Sequence, residues 1–401
     1  MPTKLRRRAA SATRASIALT LVLAAAAVIA FGGGQALASN VGCGDTIKKD
    51  TKLDRNLLGC PNNGVVIGAD GVTLNLNGHL IDGDGTEFGG CDPNAEVCDT
   101  GIVDDGHDRV TVKNGRVRQF AVGVLFGTSS RGVVRRNRVL GITSSGNRFF
   151  GFVIASTIRS LVRNSSATGS LAPDGDGLGL FAARHVRILH NSFRHNAEIG
   201  IHMDQSSHNL ISGNLFTETS EFAALLITGS NRNEVRGNHS VRDRDGIIVG
   251  PGSGNVIAGN RISDPGGGRG HGDGIAVEAG HGNLVANNVV VGARVGVRLG
   301  VQPPPIGGAR NVVRRNLVKG SGEDGFLVNR KDHLSLLSHN TAVGAGDDGF
   351  DVRSRSARLT GNLALRNGDL GISAVRGALD RGGNVARNNG DPRQCTNIAC
   401  S

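Results

Sequence analysis

The 401-residue chain has no Trp, no Tyr and only two Met, and its benzenoid rings are 13 Phe. So few aromatics leave little material for stacking platforms, with Phe126, Phe150 and Phe181 the candidates. Two Met cannot build a clustered Met/His copper site. No C-x-x-C pair occurs, which removes the usual zinc spacings. The 62 Gly follow no three-residue period, so collagen is excluded. No ten-residue window carries a 3.6-residue apolar period, which excludes a helical solenoid. No polar low-complexity block is present, so disorder is not expected over most of the chain. After the N-terminal segment, no apolar run is long enough to span a bilayer.

That segment reads as an export signal. Lys4, Arg6, Arg7, Arg8 and Arg14 precede an apolar stretch over 17–31, and Ala36-Leu37-Ala38 is an A-x-A cleavage site. An uncleaved membrane anchor is the alternative. Removal of residues 1–38 leaves 40 basic against 34 acidic residues and lowers the net charge from +11 to +6. A mildly basic exported protein can meet an acidic polysaccharide or a cell-surface glycan, although an ordinary solvated surface has the same composition. Six Cys in an exported chain suggest disulfides. The local pairing is Cys43–Cys60, Cys91–Cys98 and Cys395–Cys400, out of about 15 arrangements that six Cys allow.

What the chain has in abundance is self-similarity. Asn pairs five residues apart recur at 209/214, 233/238, 255/260, 283/288 and 311/316. Asn137, Asn164, Asn191, Asn340 and Asn362 extend the second column, with steps of 22–28 residues. A second column is Gly followed by an apolar-x-apolar triplet, from Gly123 to Gly371, with Ala224 in place of one Gly. Asp precedes the Gly at Asp176, Asp245, Asp273, Asp324 and Asp348. Short alternating runs at this period indicate a solenoid. The expected fold is all-β: a right-handed, single-stranded parallel β-helix of about 11–13 coils with disulfide-stapled ends. In it Asn supplies left-handed turns and an amide ladder, and Gly supplies positive φ at the other corner. Asp before Gly reads as a turn former. Val297, Phe326, Phe350 and Ile372 form one inward column. The domain boundaries are a signal over 1–38 and one domain over 39–401, with caps near 39–64 and 376–401 and coils over 65–375.

These columns, together with VTLNLNGHLIDG near the start, resemble the right-handed parallel β-helix repeat proteins of the pectin-lyase-like superfamily over roughly residues 45–390. The resemblance implies the fold, and it leaves open polysaccharide lyase, pectin hydrolase, alginate epimerase, copper-site maturation and adhesin activities. The pectin hydrolase order NTD, DD, GHG, RIK is not met. Gly270-His271-Gly272 and Gly280-His281-Gly282 precede Asp347-Asp348, and NTD and RIK are missing. The epimerase DPHD motif is also missing.

Positions two and four after the column Gly face outward and line a groove. Three polar groups stand out there. His202 and Asp204 are about 7 Å apart between Cα atoms on one strand. A His beside a carboxylate suits a general base, so this pair is the catalytic candidate. Thr228, Glu278, Arg298 and Phe181 are candidate substrate contacts, with Glu278 and Arg298 a surface ion pair of small value. Asp324, Asp348 and Asp351 could hold Ca²⁺. His202 and Asp351 lie roughly 29 Å apart, so any site is local. The long loops before Gly151, Gly177 and Gly274 favour the His202 region. The functional expectation is a secreted, cell-surface or periplasmic monomer that binds or processes an acidic polysaccharide, by lyase- or epimerase-like chemistry if catalytic. No nucleic acid partner and no stable span after cleavage are expected. The alternative is a non-catalytic secreted binding or structural solenoid.

Overall fold

The structure, a computed structural model, describes residues 40–86, 98–127, 132–171, 173–267, 272–301 and 307–401. The expected signal segment, Cys91 and Gly270-His271 lie outside these residues.

Short β-branched and aliphatic runs between turn residues pair with their own copies one circuit away. The result is a parallel β-solenoid of about 14 turns. One face is a 15-stranded sheet running from Asp45–Ile47 to Cys395–Thr396. We call this the long sheet. Two further strands complete most circuits. Leu210–Ser212 pairs with Glu234–Arg236 and Val256–Ala258, while Leu215–Thr217 pairs with His239–Val241 and Arg261–Ser263. All pairings are parallel. Residues 43–60 and 376–401, expected as caps, themselves carry strands of the stack. Cys43–Cys60 and Cys395–Cys400 form disulfides at the two ends, as expected.

The core is a set of rows. Val297, Phe326, Phe350 and Ile372 stand in register and are buried, with the Phe326 and Phe350 rings stacked at 4.6 Å. Phe126 falls on a neighbouring inner row with Ile154 and Leu180, fully buried. It therefore offers no surface to a ligand. The groove position in that coil belongs to Leu125, which pairs with Val153.

The glycine column has a different cause from the expected one. Gly200 and Gly246 lack positive φ. A Cβ on Gly200 would meet the Ala224 carbonyl oxygen at 2.4 Å and the Phe216 ring at 2.6 Å. Coil-to-coil approach, and not turn conformation, demands glycine there. Positive φ is found one residue before the ladder asparagines, as at Gly213, Gly237 and Gly259.

The ladder itself is continuous. From Asn191 through 214, 238, 260, 288, 316, 340 and 362 to Asn384, each Nδ2 donates to the next Oδ1 at 2.9–3.1 Å. A parallel ladder joins Asn209, Asn233, Asn255, Asn283 and Asn311. Two column assignments change. Asn164 is itself left-handed (φ 51°), and the ladder place beside it is taken by Ser165, whose N–H donates to Asn191 Oδ1. Asn137 belongs to the Asn209–Asn311 ladder (the first ladder, the Asn191–Asn384 one being the second): its Oδ1 accepts the Val110 N–H and its own N–H donates to the Ser160 hydroxyl oxygen.

Candidate functional site

One geometric rule organises the outer face of the long sheet. The residue before the column Gly in one coil lies against the second residue after the Gly in the next coil. All three polar clusters are built this way.

In the first, His202 sits mid-strand in Ile199–Asp204, beside Gly179 and Leu226. Its Nδ1 lies 3.3 Å from Oδ2 of Asp176, at the head of the preceding strand. The Asp176 carboxylate is 3% exposed and the His202 ring 29% exposed. Asp176 Oδ1 accepts the Ile199 N–H at 3.0 Å, so one carboxylate fixes both the next coil and the imidazole. The Phe181 ring meets His202 edge-on at 5.4 Å and Phe150 edge-on at 5.8 Å. Gly179 makes this shelf possible: a Cβ there would meet the Phe181 ring at 2.4 Å.

Asp204 is not the partner of His202. Its carboxylate accepts the Thr228 hydroxyl at 3.1 Å and the Gln205 amide at 3.2 Å. The two side chains share a strand but make no bond to each other, because the ring turns back toward the previous coil. The hydrogen bond to Asp176 raises the His202 pKa above the usual imidazole value, against the opposing effect of burial, with the Asp176, Asp204 and Glu198 charges adding to the rise. Burial raises the Asp176 carboxyl, which His202 partly offsets, and burial also raises Glu198. In the sequence Asp176 is one of the Asp-Gly pairs, whose turn-forming role hides a second use. The coil-to-coil offset of the stack is the signal that would have paired it with His202.

The second cluster centres on Arg298, whose side chain is 13% exposed. Its Nε contacts Asp273 Oδ2 at 2.5 Å, and a terminal nitrogen reaches Glu278 Oε1 at 3.2 Å. Arg294 bonds the other Asp273 oxygen at 2.7 Å and Glu323 at 2.8 Å. The expected exposed Glu278–Arg298 pair is thus part of a half-buried network of five charges. Truncating Arg298 would leave Asp273 Oδ2 without its partner while Arg294 still holds Oδ1, so the role of Arg298 in the fold exceeds that of a surface pair. Leu226, Ile248 and Ala276 separate His202 from Arg298, four rungs or roughly 19 Å apart.

In the third, the rule brings two like charges together. Asp324 lies against Asp351, and with Asp348 the three carboxylates bring an oxygen each within 4.8 Å of one another. Arg353 bonds Asp351 at 2.6 Å. Burial, with the neighbouring Asp351, Asp348 and Asp347 charges, pushes Asp324 up to about 7, and burial pushes Asp348 up to about 6. Hard oxygen ligands of this kind suit Ca²⁺. Because these folded-state values exceed those of an unfolded aspartate, the folded state holds extra protons between about pH 4 and pH 7, and stability falls as pH rises through that window. The melting temperature is expected to be lower at pH 8 than at pH 5. Asp324→Asn should flatten the dependence, and added Ca²⁺ should restore stability at pH 8 alone. A flat melting profile from pH 4 to 8 would contradict the burial of these groups.

The family described as "Right handed beta helix region" matches residues 54–240, and that described as "Periplasmic copper-binding protein (NosD)" matches residues 219–389. No curated protein sequence matches the chain. The chain has the fold of a right-handed β-helix repeat protein. Among solved structures it is similar to a GH136 lacto-N-biosidase from Eubacterium ramulus (TM-score 0.53, 10% identity, 81% of this chain and 62% of that one). This chain therefore spans about three-fifths of that enzyme's length. It is also similar to a PL6 alginate lyase in complex with trisaccharide (TM-score 0.52, 12% identity, 89% and 88%). An alginate lyase in complex with G6 gives a TM-score of 0.50 at 12% identity, covering 90% and 84%.

A copper site is not supported by the residues present. Copper favours imidazole and sulfur ligands. Met203 is buried in the core, and among the described residues the groups able to converge on an ion are all aspartates. No helix among the described residues is long and apolar enough to cross a membrane.

Proposed function

We propose that the outer face of the long sheet around His202 binds an acidic polysaccharide and abstracts a proton from a uronic acid residue. The observation that carries this reading is the His202–Asp176 pair. A half-exposed imidazole is held through Nδ1 by a buried carboxylate, and Nε2 is left for the groove. A base so oriented contributes typically 10²–10⁴-fold to proton transfer. In the reaction Nε2 takes the proton α to the uronate carboxyl, and the electron pair moves toward that carboxyl. Elimination follows if the pair then expels the adjacent glycosidic oxygen, which needs a proton to leave as a hydroxyl. Epimerisation follows if a proton returns from the opposite face. Phe150 and Phe181 form an apolar shelf for a sugar ring, and Thr228 and Asp204 border it. The similarity to two alginate lyases supports the substrate class, and the disulfides together with a periplasmic family description support an exported protein.

The test is incubation of the mature protein with pectate, alginate and glycosaminoglycans, reading unsaturated-product absorbance and C5 inversion. Turnover of at least one polyuronate that His202→Gln abolishes is the expected result. Retention of a polyuronate without turnover would leave a binding solenoid and end the catalytic reading.

A further inference from the structure

Around the corner from the His202 face, the residue before each first-ladder position is left-handed. Glycine occupies this row at Gly71, Gly254 and Gly282. Between them the row reads Arg109, Arg136, Arg159, His185, His208, Arg232, with φ of 55–62° on six successive coils. The backbone bonds confirm the alignment. The N–H of each donates to the carbonyl preceding the next member, as from Arg159 to Arg184 O and from His208 to Asn231 O. All six side chains are exposed.

This arrangement is doubly unfavourable. Long side chains at positive φ cost free energy that glycine or asparagine avoids; the second-ladder corner interleaves Gly213, Gly237 and Gly259 with His190, Arg315 and His339, whereas the first-ladder corner runs six basic residues without a break. Cationic groups stacked at the inter-coil spacing of about 4.8 Å also repel. Arg109 has a carboxylate partner in Asp70, whereas no ion pair among the described residues involves Arg136, Arg159, Arg184 or Arg232. An unbroken run of basic side chains with so little carboxylate compensation is the feature that points to an anionic partner.

The lower part of the row borders a groove of about 710 Å³ containing Arg184, His185, His208, Arg232 and His281, with no acidic residue in its lining. The nearest carboxylates along the chain are engaged elsewhere: Asp204 with Thr228, and Glu234 with Arg236. A second, parallel row supplies neutral groups, with Ser207 and Asn231 following Arg184 coil by coil. The imidazoles of His185 and His208 stack at 5.2 Å.

We infer that this corner is a binding surface for a linear anionic glycan lying along the solenoid axis, distinct from the His202 face. Cations repeat along one line to meet acid groups, and hydroxyl and amide groups repeat along the next to meet sugar hydroxyls. For nucleobases the groove offers no Phe platform, only the His185–His208 stack and arginine planes, so an oligonucleotide is the discriminating probe. The inference does not depend on catalysis at His202.

The test uses the mature full-length protein and fluorescently end-labelled alginate oligomers, with heparin oligosaccharide and oligodeoxythymidylate as further probes. Binding is read by fluorescence anisotropy at low salt. The variant combines Arg184→Ser, His208→Asn and Arg232→Gly, the last two of which suit positive φ. It should bind both glycans at least tenfold more weakly while melting no lower than the parent, and Arg261→Ala, an exposed cation outside this corner, should leave the binding intact. Unchanged affinity in the triple variant would overturn the inference. So would an equal loss in Arg261→Ala, which would reduce the effect to net charge with no site at the corner. Tighter capture of the oligonucleotide than of either glycan would overturn the ligand class.

Discussion

Asn260→Ala is expected to destabilise the folded protein by about 3–5 kcal/mol, the sum of several buried groups left without partners. Asn260 sits in the middle of the long ladder and is 2% exposed. Its Nδ2 donates to Val235 O and to Asn288 Oδ1, and its Oδ1 accepts both N–H and Nδ2 of Asn238. Alanine leaves the Asn238 donors and the Val235 carbonyl in a dry interior, where each unsatisfied group costs roughly 1–3 kcal/mol. The exposed neighbour Arg261 is the control, and its replacement by alanine should change stability by no more than about 0.5 kcal/mol. Denaturant titrations of both variants give the comparison, with the midpoint moving and the slope preserved. A loss below about 1 kcal/mol for Asn260→Ala would mean that the ladder is not the buried, satisfied network described here.

The second large effect concerns chemistry. On a polyuronate that the protein turns over, His202→Gln should lower kcat by about 10²–10⁴-fold, the usual worth of a positioned base. Asp176→Asn is the more informative change. Asparagine can still accept the Ile199 N–H, so the coil remains held, but the carboxylate that orients and charges the imidazole is gone. His202 acts as a base only when neutral. Its raised pKa means that activity climbs with pH through a midpoint above the ordinary histidine value. Removing the Asp176 carboxylate removes the largest cause of that rise, so the acidic limb of the rate profile should move to lower pH as kcat falls. An acidic limb that stays in place in Asp176→Asn would exclude the pair as the catalytic unit, whatever the loss in rate. Asp204→Asn should leave the limb nearly where it was, since Asp204 acts on His202 only through space.

The fold was legible because a solenoid writes its geometry into the sequence once per turn. Asn255 and Asn283, 28 residues apart, are joined by a 3.1 Å bond, and the column rule pairs them without any structure. The reasons behind individual columns were harder to read. Glycine can be selected for positive φ or for the absence of a Cβ, and only the contact between Gly200 and Ala224 O decides between them. The site was half legible. His202 stood out as a polar residue in an apolar column, but its partner was sought along the same strand, where the alternation of side chains is familiar. The partner came from the previous coil, because the residues before the glycine and two after it both face outward. The same offset hid the third member of the Arg298 network and left the Asp351 cluster with its membership known but its cause unexplained. The His/Arg corner is hard to read because basic residues in turns resemble ordinary solvated loops, and only the coil-to-coil alignment puts six of them on one line.

The strand and ladder bonds that hold a circuit in this tube run to the circuit before or after it, and successive circuits offer closely similar donors, acceptors and aliphatic rows. A whole extra turn inserted between Asn238 and Asn260 would therefore arrive with its partners ready made, whereas an insertion of a few residues within a strand would throw the rows out of step. Lengthening or shortening by complete turns is the kind of change this architecture absorbs. The distance between the His202 face and the acidic trio near Asp351 is thus a quantity that gene duplication or deletion can adjust in steps of one rung, leaving each local constellation untouched.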